Sequence, residues 1–182
     1  LDGKWVLILS PIEMERQQEK YWNLNSTVAF IGDMNWETGQ FFVDTYDEID
    51  GGLDFYAPQT CQGPNGERYM VAWMQMWQRS IPSHDLGHGW AGSMTIPRKL
   101  GLKDGRLVQE LPESVKNHFL VENAPETIVK GNQIIIPARG KQTLFEIDSK
   151  SGRSFILKYG DESDVDSALQ LIYDASNKRF SL

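Results

Sequence analysis

The sequence predicts an all-β protein, and three observations support this class. Short runs rich in β-branched and aromatic residues recur along the chain, and turn residues separate them. Only one or two stretches have a pattern that suits a helix. Apolar residues make up 40% of the 182 residues, aromatic residues 11% and charged residues 24%, which is typical of a folded chain with a core.

The first half of the chain contains five predicted strands. They cover residues 4–9, 27–31, 40–44, 69–74 and 92–96. The Gly-Pro-Asn-Gly segment at 63–66 combines residues that favour turns, so it predicts a tight turn between strands.

The second half contains seven predicted strands and one short helix. The strands cover residues 106–109, 119–122, 133–137, 143–147, 153–159, 168–173 and 179–182. Hairpin connections are predicted at 103–105, 130–132, 150–152 and 176–178, where Gly, Asn, Asp and Lys tolerate a positive φ. Residues 112–118 suit a short linking helix.

The composition of the sequence and its hydrophobic pattern change near Pro112. All six tryptophans precede it, and the later strands alternate more plainly between apolar and polar positions. We therefore predict an aromatic-rich sheet domain at 1–111, a linker with a short helix at 112–118, and a second β domain at 119–182.

Charge and cysteine content exclude several classes of function. A net charge of −7 and a pI near 5.0 argue against nucleic acid or an anionic membrane surface as a partner. No apolar run approaches the roughly 20 residues of a spanning helix. Cys61 is the single cysteine and is predicted to be a small buried hydrophobic residue, so a reducing cytoplasm is the expected location.

The segment at 52–60, GLDFYAPQT, is the most informative candidate site. Asp54, Tyr56 and Gln59 combine an aromatic face with several hydrogen-bonding groups, as sugar sites do. The alternative is structural: Asp54 would cap a turn, Phe55 and Tyr56 would be core, and Pro58 would shape the loop.

A second candidate is the segment at 72–77, AWMQMW. Strand alternation places Trp73, Gln75 and Trp77 on one face and the two methionines on the other. That face suits a wall on which a sugar stacks. The alternative, that both faces pack into the structure, stays open.

The remaining polar residues have mainly structural interpretations. We expect Arg98 to brace a carboxylate between elements rather than bind substrate. We expect His84 and His88 to lie in a solvated loop, because glycines on both sides of His88 argue against a helix, and we predict no metal and no cofactor. A paired carboxylate is what glycoside hydrolysis needs, but the sequence does not select one among Asp44, Asp47, Glu48, Asp50 and Asp54.

In this order, the motifs resemble those of glycoside hydrolase family 32, which includes invertases, levanases and sucrose-6-phosphate hydrolases. Residues 5–11 resemble the strand after the family's Glu-Cys-Pro motif, and residues 30–33 resemble its next strand. Residues 53–60 match the Asp-Phe-Tyr-Ala signature and 73–77 the Trp-Met segment. Residues 89–100 match Gly-Trp-Ala-Gly through Thr-x-Pro-Arg-x-Leu, and 105–109 with Pro112 follow in family order.

The resemblance implies a fold and a set of site residues. Residues 1–111 would be the last blades of a five-bladed β-propeller, and 119–182 the first strands of a C-terminal β-sandwich. Tyr56 and Trp77 would line the fructoside pocket, with Asp54 and Gln59 as weaker candidates. The family's nucleophile Asp, stabilising Asp and acid/base Glu would all lie upstream of Leu1, so no catalytic residue is expected in this chain.

The function implied is part of a retaining β-fructofuranosidase that acts on sucrose, sucrose 6-phosphate or small fructans. The full-length protein would be the enzyme, and this segment alone would be inactive. The expected partners are a small fructoside and either the missing upstream propeller portion or a second copy that associates through exposed edges. A non-catalytic sugar-binding β module and a purely structural domain remain the alternatives.

Overall fold

A computed structural model describes residues 1–119, 128–130, 133–136, 144, 152–160 and 169–181. The chain divides into two compact units, Leu1–Glu122 and Asn123–Leu182. The described residues form twelve strands and two short helices, which confirms the all-β prediction.

The first sheet of unit 1 has three antiparallel strands in the order β1-β2-β3. The strands are β1 (Trp5–Leu9), β2 (Val28–Asn35) and β3 (Gln40–Glu48). A bulge interrupts the pairing of β2 with β3 between Ile31 and Gly32. A Cβ atom at Gly32 would overlap the Phe42 carbonyl oxygen, so the bulge requires glycine there.

The second sheet is a four-stranded antiparallel meander in the order β4-β5-β6-β7, which is the topology of a propeller blade. The strands are β4 (Tyr56–Gln62), β5 (Arg68–Trp73), β6 (Arg98–Lys103) and β7 (Arg106–Glu110). The turn predicted at 63–66 is confirmed, since the Gly66 amide donates to the Gly63 carbonyl at 3.2 Å. The number of blades stays a prediction.

In unit 1 one predicted strand is absent and the bulged strand β4 was missed, both for local reasons. The strand predicted at 92–96 is wrong, because Gly92 has a φ of 76° and Met94 forms only an isolated bridge to Trp73. The regular strand begins instead at Arg98, directly after Pro97, which has no amide to donate. Strand β4 was not predicted, because a bulge between Tyr56 and Gln59 breaks its alternation.

The core of unit 1 lies between the two sheets. Phe55, Met70, Ala72 and Leu100 are buried there. Ile8, Ile49 and Leu107, partly buried, pack against this cluster from both sheets. Two hydrogen bonds also join the sheets: Thr27 Oγ1 donates to the Phe55 carbonyl at 3.1 Å, and Gln109 Nε2 donates to the Ile49 carbonyl at 2.6 Å. The prediction that Cys61 is buried is wrong, since it lies exposed on the edge strand β4.

The opposite face of the first sheet is apolar and open. Trp5 is 50% exposed, Leu7 41% and Tyr46 51%. Leu7 pairs with Phe30 and Phe30 with Tyr46, so these three side chains share one face. The Phe30 and Tyr46 rings stack at 5.5 Å. A contiguous exposed apolar face often marks a contact surface.

Helix α1 (Pro82–Asp85) lies between β5 and β6. Helix α2 (Glu113–Phe119) ends the described part of unit 1, where a helix was predicted at 112–118. In unit 2 the described strands are β8 (Ile128–Lys130), β9 (Gln133–Ile135), β10 (Phe155–Tyr159), β11 (Leu169–Asp174) and β12 (Arg179–Ser181). They form an antiparallel β8-β9 pair and a β10-β11-β12 sheet.

Four strand predictions in unit 2 match these elements, namely those at 133–137, 153–159, 168–173 and 179–182. The predicted strand at 143–147 lies outside the described residues except for Leu144, which is not in a strand. The one at 119–122 lies outside them except for Phe119, which ends α2.

The turn between β11 and β12 is held by the Asp174 carboxylate. It accepts hydrogen bonds from the Ser176 hydroxyl at 2.6 Å, the Ser176 amide at 2.9 Å and the Asn177 side chain at 2.8 Å. The bonds from Ser176, followed by that from Asn177, lower the pKa of Asp174. None of the helices among the described residues combines the length and apolar composition that a membrane crossing requires.

Candidate sugar-binding site

Three aromatic side chains meet at one end of the second sheet. Tyr56 begins β4 and pairs directly with Trp73, the last residue of β5. The ring of Trp77 lies 5.3 Å from that of Trp73 and 5.9 Å from that of Tyr56, and the Tyr56 and Trp73 rings lie 6.4 Å apart. We call Tyr56, Trp73 and Trp77 the aromatic cluster. Trp77 is 64% exposed, so its ring is available to a ligand.

The chain reaches this arrangement through a turn, not through a continued strand. Strand β5 ends at Trp73, so the predicted alternation over 73–77 is wrong. Gln75 is buried, and its Nε2 donates to the Ser80 carbonyl at 2.9 Å. Met76 is also buried. Gln75 therefore holds the turn that returns Trp77 to Trp73, and it does not share an exposed strand face with the two tryptophans.

Asp54 lies just before the cluster and forms an ion pair with Arg79, just after it. The Arg79 guanidinium also donates to the Leu53 carbonyl. Both side chains are partly exposed. This contact joins the loop before β4 to the loop after β5, so it fixes the two segments that carry Tyr56 and Trp77. No sequence signal identified Arg79, because its partner comes from a different loop.

Gln59 is not part of the cluster. The bulge after Tyr56 makes Gln59 pair with Val71, which places it on the same face as Tyr56 and Trp73 but further along the sheet. Its side chain is exposed. The structure therefore brings together Tyr56 and Trp77, places Asp54 beside them, and leaves Gln59 apart.

The loop between β5 and β6 holds Trp73 in place. This loop contains the short helix α1 (Pro82–Asp85). The Gly92 amide donates to Ser83 Oγ at 2.8 Å, and Trp73 Nε1 donates to the Ala91 carbonyl at 3.4 Å. A Cβ atom at Gly92 would overlap Trp73 Nε1. Only glycine lets the loop pass so close to the indole.

Arg98 braces the junction between the sheets, as the sequence predicted. Its guanidinium lies 2.7 Å from the Asp50 carboxylate, 2.9 Å from Gln109 Oε1 and 4.6 Å from the centre of the Phe55 ring. It faces the core side of the sheet, away from the aromatic cluster.

The other candidate carboxylates also have structural partners. Lys4 bridges Asp33 at 2.6 Å and Asp44 at 2.8 Å, and these bonds raise the pKa of Lys4. Asp47 pairs with Lys20. Glu48 accepts a hydrogen bond from the Tyr21 amide at 2.9 Å.

The histidines are exposed. His84 lies in α1, and the His88 ring packs against Trp90 at 5.1 Å. Across the described ranges, no group of three or more His, Cys, Asp and Glu side chains is arranged to hold a metal ion.

Comparisons with known proteins identify the family of the chain. A family model described as Glycosyl hydrolases family 32 N-terminal domain matches residues 2–111. The chain is 30% identical to the raffinose invertase of Escherichia coli over 186 aligned positions, covering 88% of this chain and 38% of that protein. It is 36% identical to the sucrose-6-phosphate hydrolase of Bacillus subtilis, covering 62% of this chain and 24% of that protein.

The chain is also similar to solved structures of β-fructofuranosidases. The β-fructofuranosidase of Bombyx mori matches 97% of this chain and 37% of its own, with a TM-score of 0.75 and 25% identity. A variant of that enzyme in complex with sucrose matches 70% of this chain and 26% of its own, with a TM-score of 0.61 and 32% identity.

The matching family model and these relatives place the all-β chain in the class of glycoside hydrolases. The chain belongs to glycoside hydrolase family 32. It spans 38% or less of the length of the curated relatives named above.

Proposed function

We propose that the protein containing this chain is a retaining β-fructofuranosidase that hydrolyses terminal β-D-fructofuranosides such as sucrose, sucrose 6-phosphate or small fructans. The chain contributes the wall of the sugar pocket. The observation that carries this proposal is the aromatic cluster, in which Tyr56 and Trp77 present half-buried and exposed rings at the open end of the sheet. The relatives named as invertase and sucrose-6-phosphate hydrolase support the substrate class.

The cluster suits recognition of a furanose ring. Aromatic faces pack against the apolar face of a sugar, and the Tyr56 hydroxyl and the Asp54 carboxylate offer a donor and acceptors to its hydroxyls. Asp54 is engaged by Arg79, so it fits a positioning role better than that of an attacking nucleophile. Gln59 contributes further along the same face.

The bond-breaking carboxylates are proposed to come from outside this chain. Retaining hydrolysis needs a nucleophile and an acid/base group about 5–5.5 Å apart. Beside the aromatic cluster, Asp54 is bound to Arg79, and Asp50 is bound to Arg98 at the sheet junction. The chain alone is therefore expected to be inactive. Sucrose turnover by the purified chain that Tyr56→Ala abolishes would contradict this.

The test of the function uses the full protein and sucrose. We expect release of glucose, with the fructose appearing first as the β-anomer in an NMR time course, because a retaining mechanism keeps the anomeric configuration. Failure to cleave any β-fructofuranoside would overturn the proposal, and release of the α-anomer first would overturn the retaining mechanism.

A non-catalytic sugar-binding module is the second candidate, favoured by the engagement of Asp54 and Asp50 in ion pairs. Titration with fructose monitored by tryptophan fluorescence separates sugar binding from a purely structural role, which predicts no change. Absence of turnover in the full protein, together with a saturable change in fluorescence, would favour the binding module over the enzyme.

The open face of the first sheet is proposed to pack against a further sheet of the same protein, outside this chain. The other face of that sheet already packs against the second sheet through Ile8. The open face could pack against another sheet in the same way. The exposed Trp5, Leu7 and Tyr46 would then be buried.

The isolated chain tests this proposal. We expect it to self-associate through that face in light-scattering measurements. Leu7→Glu should reduce the association, while Ile12→Glu, at a 68% exposed loop position, should not. A wild-type chain that is monomeric would contradict the proposal.

We further propose a cytoplasmic location. Its support is that Cys61 is the single cysteine of the chain and is free, as expected in a reducing compartment. Fractionation of cells that express the full protein, with activity measured in each fraction, tests this.

A further inference from the structure

The turn between β4 and β5 carries the one asparagine of this chain that a glycine follows, since Asn65 precedes Gly66. The Gly63 amide donates to the Glu67 carbonyl at 2.7 Å and closes the turn. Asn65 and Gly66 are both exposed, so water reaches the peptide bond between them. No atom beyond the chain neighbours lies within 4 Å of the place that a Cβ atom on Gly66 would take, so the backbone has space to rearrange.

The contacts that hold Asn65 and Gly66 are long. The Gly66 amide donates to the Gly63 carbonyl at 3.2 Å, and Asn65 Nδ2 donates to Glu67 Oε1 at 3.5 Å. Hydrogen bonds of this kind are most often about 2.9–3.0 Å, so both are weak. Gly66 has a φ of 89° and no Cβ atom, so its backbone nitrogen is unhindered. The side-chain carbonyl carbon of Asn65 and the Gly66 nitrogen can therefore approach each other.

We propose that Asn65 is a site of spontaneous deamidation. The backbone nitrogen of Gly66 attacks the side-chain carbonyl carbon of Asn65 and forms a cyclic succinimide. The side-chain nitrogen leaves as ammonia and takes up the proton that the Gly66 nitrogen loses. Water then opens the ring at either carbonyl carbon and gives aspartate or isoaspartate. Water is the only other reactant, and no atom is oxidised or reduced.

Both products place a new carboxylate beside Glu67. The hydrogen bond from its own backbone amide, followed by those from Asn65, lowers the pKa of Glu67, so this side chain is ionised at neutral pH. Deamidation replaces the Asn65 donor with a second negative charge, and like charges at this distance repel. Isoaspartate also lengthens the main chain by one methylene group. Deamidation should therefore weaken the turn.

Asn35 provides a matched comparison within the chain. It is exposed at the end of β2, and its Oδ1 accepts the backbone amides of Glu37 at 3.0 Å and Thr38 at 3.1 Å. These two bonds hold the side-chain carbonyl group in place. Trp36 follows Asn35, so a bulky side chain also hinders attack by the next backbone nitrogen. Asn35 should deamidate far more slowly than Asn65.

The first experiment incubates the full protein at mildly alkaline pH and follows its peptides by mass spectrometry. Each deamidation raises the mass by about 1 Da, and an isoaspartate-specific methyltransferase detects the isoaspartate product. The peptide with Asn65 should convert at least about tenfold faster than the peptide with Asn35. Asn65→Gln should nearly stop conversion at this position, because attack would form a larger, less favoured ring. No conversion at Asn65, or equal rates at Asn65 and Asn35, would overturn the inference.

The second experiment measures the consequence with Asn65→Asp, which carries the new charge without the extra methylene group. We expect the Tm of the full protein to fall by about 1–2 °C. Activity on sucrose should not change, because the turn follows Gln62, at the end of β4 and β5 opposite to the pair of Tyr56 and Trp73. An unchanged Tm would overturn the predicted weakening, and a loss of kcat/KM would overturn the separation of the turn from the aromatic cluster. The mass and Tm measurements do not depend on the proposed function.

Discussion

An ion pair between an arginine and an aspartate lies on each side of the second sheet, and the two pairs differ in burial. On the core face, Arg98 joins Asp50 at the junction of the sheets and covers the Phe55 ring. Beside the aromatic cluster, Arg79 joins Asp54 between two loops. Asp50 is 16% exposed, whereas Asp54 is 31% exposed.

The difference in burial predicts a difference in consequence. Removing one partner of a mostly buried pair leaves a charge that solvent screens only in part, which is costly. Water screens an exposed pair, so the loss of that pair costs little stability. Its main effect is a shift of the two loops that the pair joins. Substitution of Arg98 should therefore mainly lower the free energy of unfolding. Substitutions in or beside the aromatic cluster should mainly weaken substrate recognition.

The largest expected effect is on stability, from Arg98→Ala. It leaves the Asp50 carboxylate without its cation and Gln109 without its donor, so we expect the free energy of unfolding to fall by about 3 kcal/mol. Urea denaturation of the full protein measures this. Lys116→Ala, at an exposed helix pair with Glu113, should change stability by less than about 0.5 kcal/mol. Equal effects of the two variants would show that the Asp50–Arg98 pair contributes no more to stability than an exposed pair does.

The next largest effect is on catalysis, from Trp77→Ala. Loss of an exposed stacking ring should lower kcat/KM for sucrose about 30-fold, or about 2 kcal/mol. Because the side chain is 64% exposed, the free energy of unfolding should change little. Trp77→Phe keeps an aromatic face and should retain most of the activity. A loss of stability as large as that of Arg98→Ala would show that Trp77 is core.

Gly92→Ala should reduce activity by displacing Trp73. The new Cβ atom would overlap the indole, and a φ of 76° adds strain of about 1–2 kcal/mol. Gly39→Ala is a matched control, because Gly39 has a φ of 71° and open space around it. Both variants should lose the stability that backbone strain costs, and Gly92→Ala should lose more because of the overlap, but only Gly92→Ala should lower kcat/KM, by about tenfold. Equal activities would show that the position of Trp73 does not matter.

The smallest effect is expected from Asp54→Asn. It weakens the contact with Arg79 and removes charge from an acceptor beside Tyr56, so kcat/KM for sucrose should fall about fivefold, or about 1 kcal/mol. Stability should change by less than about 1 kcal/mol, because the pair is partly exposed. A fall in stability without a fall in kcat/KM would make the pair purely structural.

The sequence predicts the regular strands well and the irregular segments poorly. Strands β1, β2 and β3 contain runs of β-branched, aromatic and other apolar residues, and this composition identifies them. Strand β4 has no such run, and Ala57 has a φ of 47° at its bulge. The run at 92–96 contains β-forming residues, yet the loop must close over Trp73, and this tertiary contact prevents a strand.

For the candidate site, too, the sequence predicts some residues correctly and misses others. The resemblance to family 32 identified Tyr56 and Trp77, and the structure brings these two residues together. Gln75 was misassigned because strand alternation was extended past Trp73, where the chain turns. Arg79 was missed because an ion pair between two loops leaves no mark in local sequence.

The central claim is that Tyr56 and Trp77 form the wall of a fructosyl pocket. A crystal structure of the full protein with bound fructose tests it most directly. We predict that the sugar contacts the rings of Tyr56 and Trp77 within about 4 Å. Fructose bound elsewhere, with both rings free of contact, would contradict it.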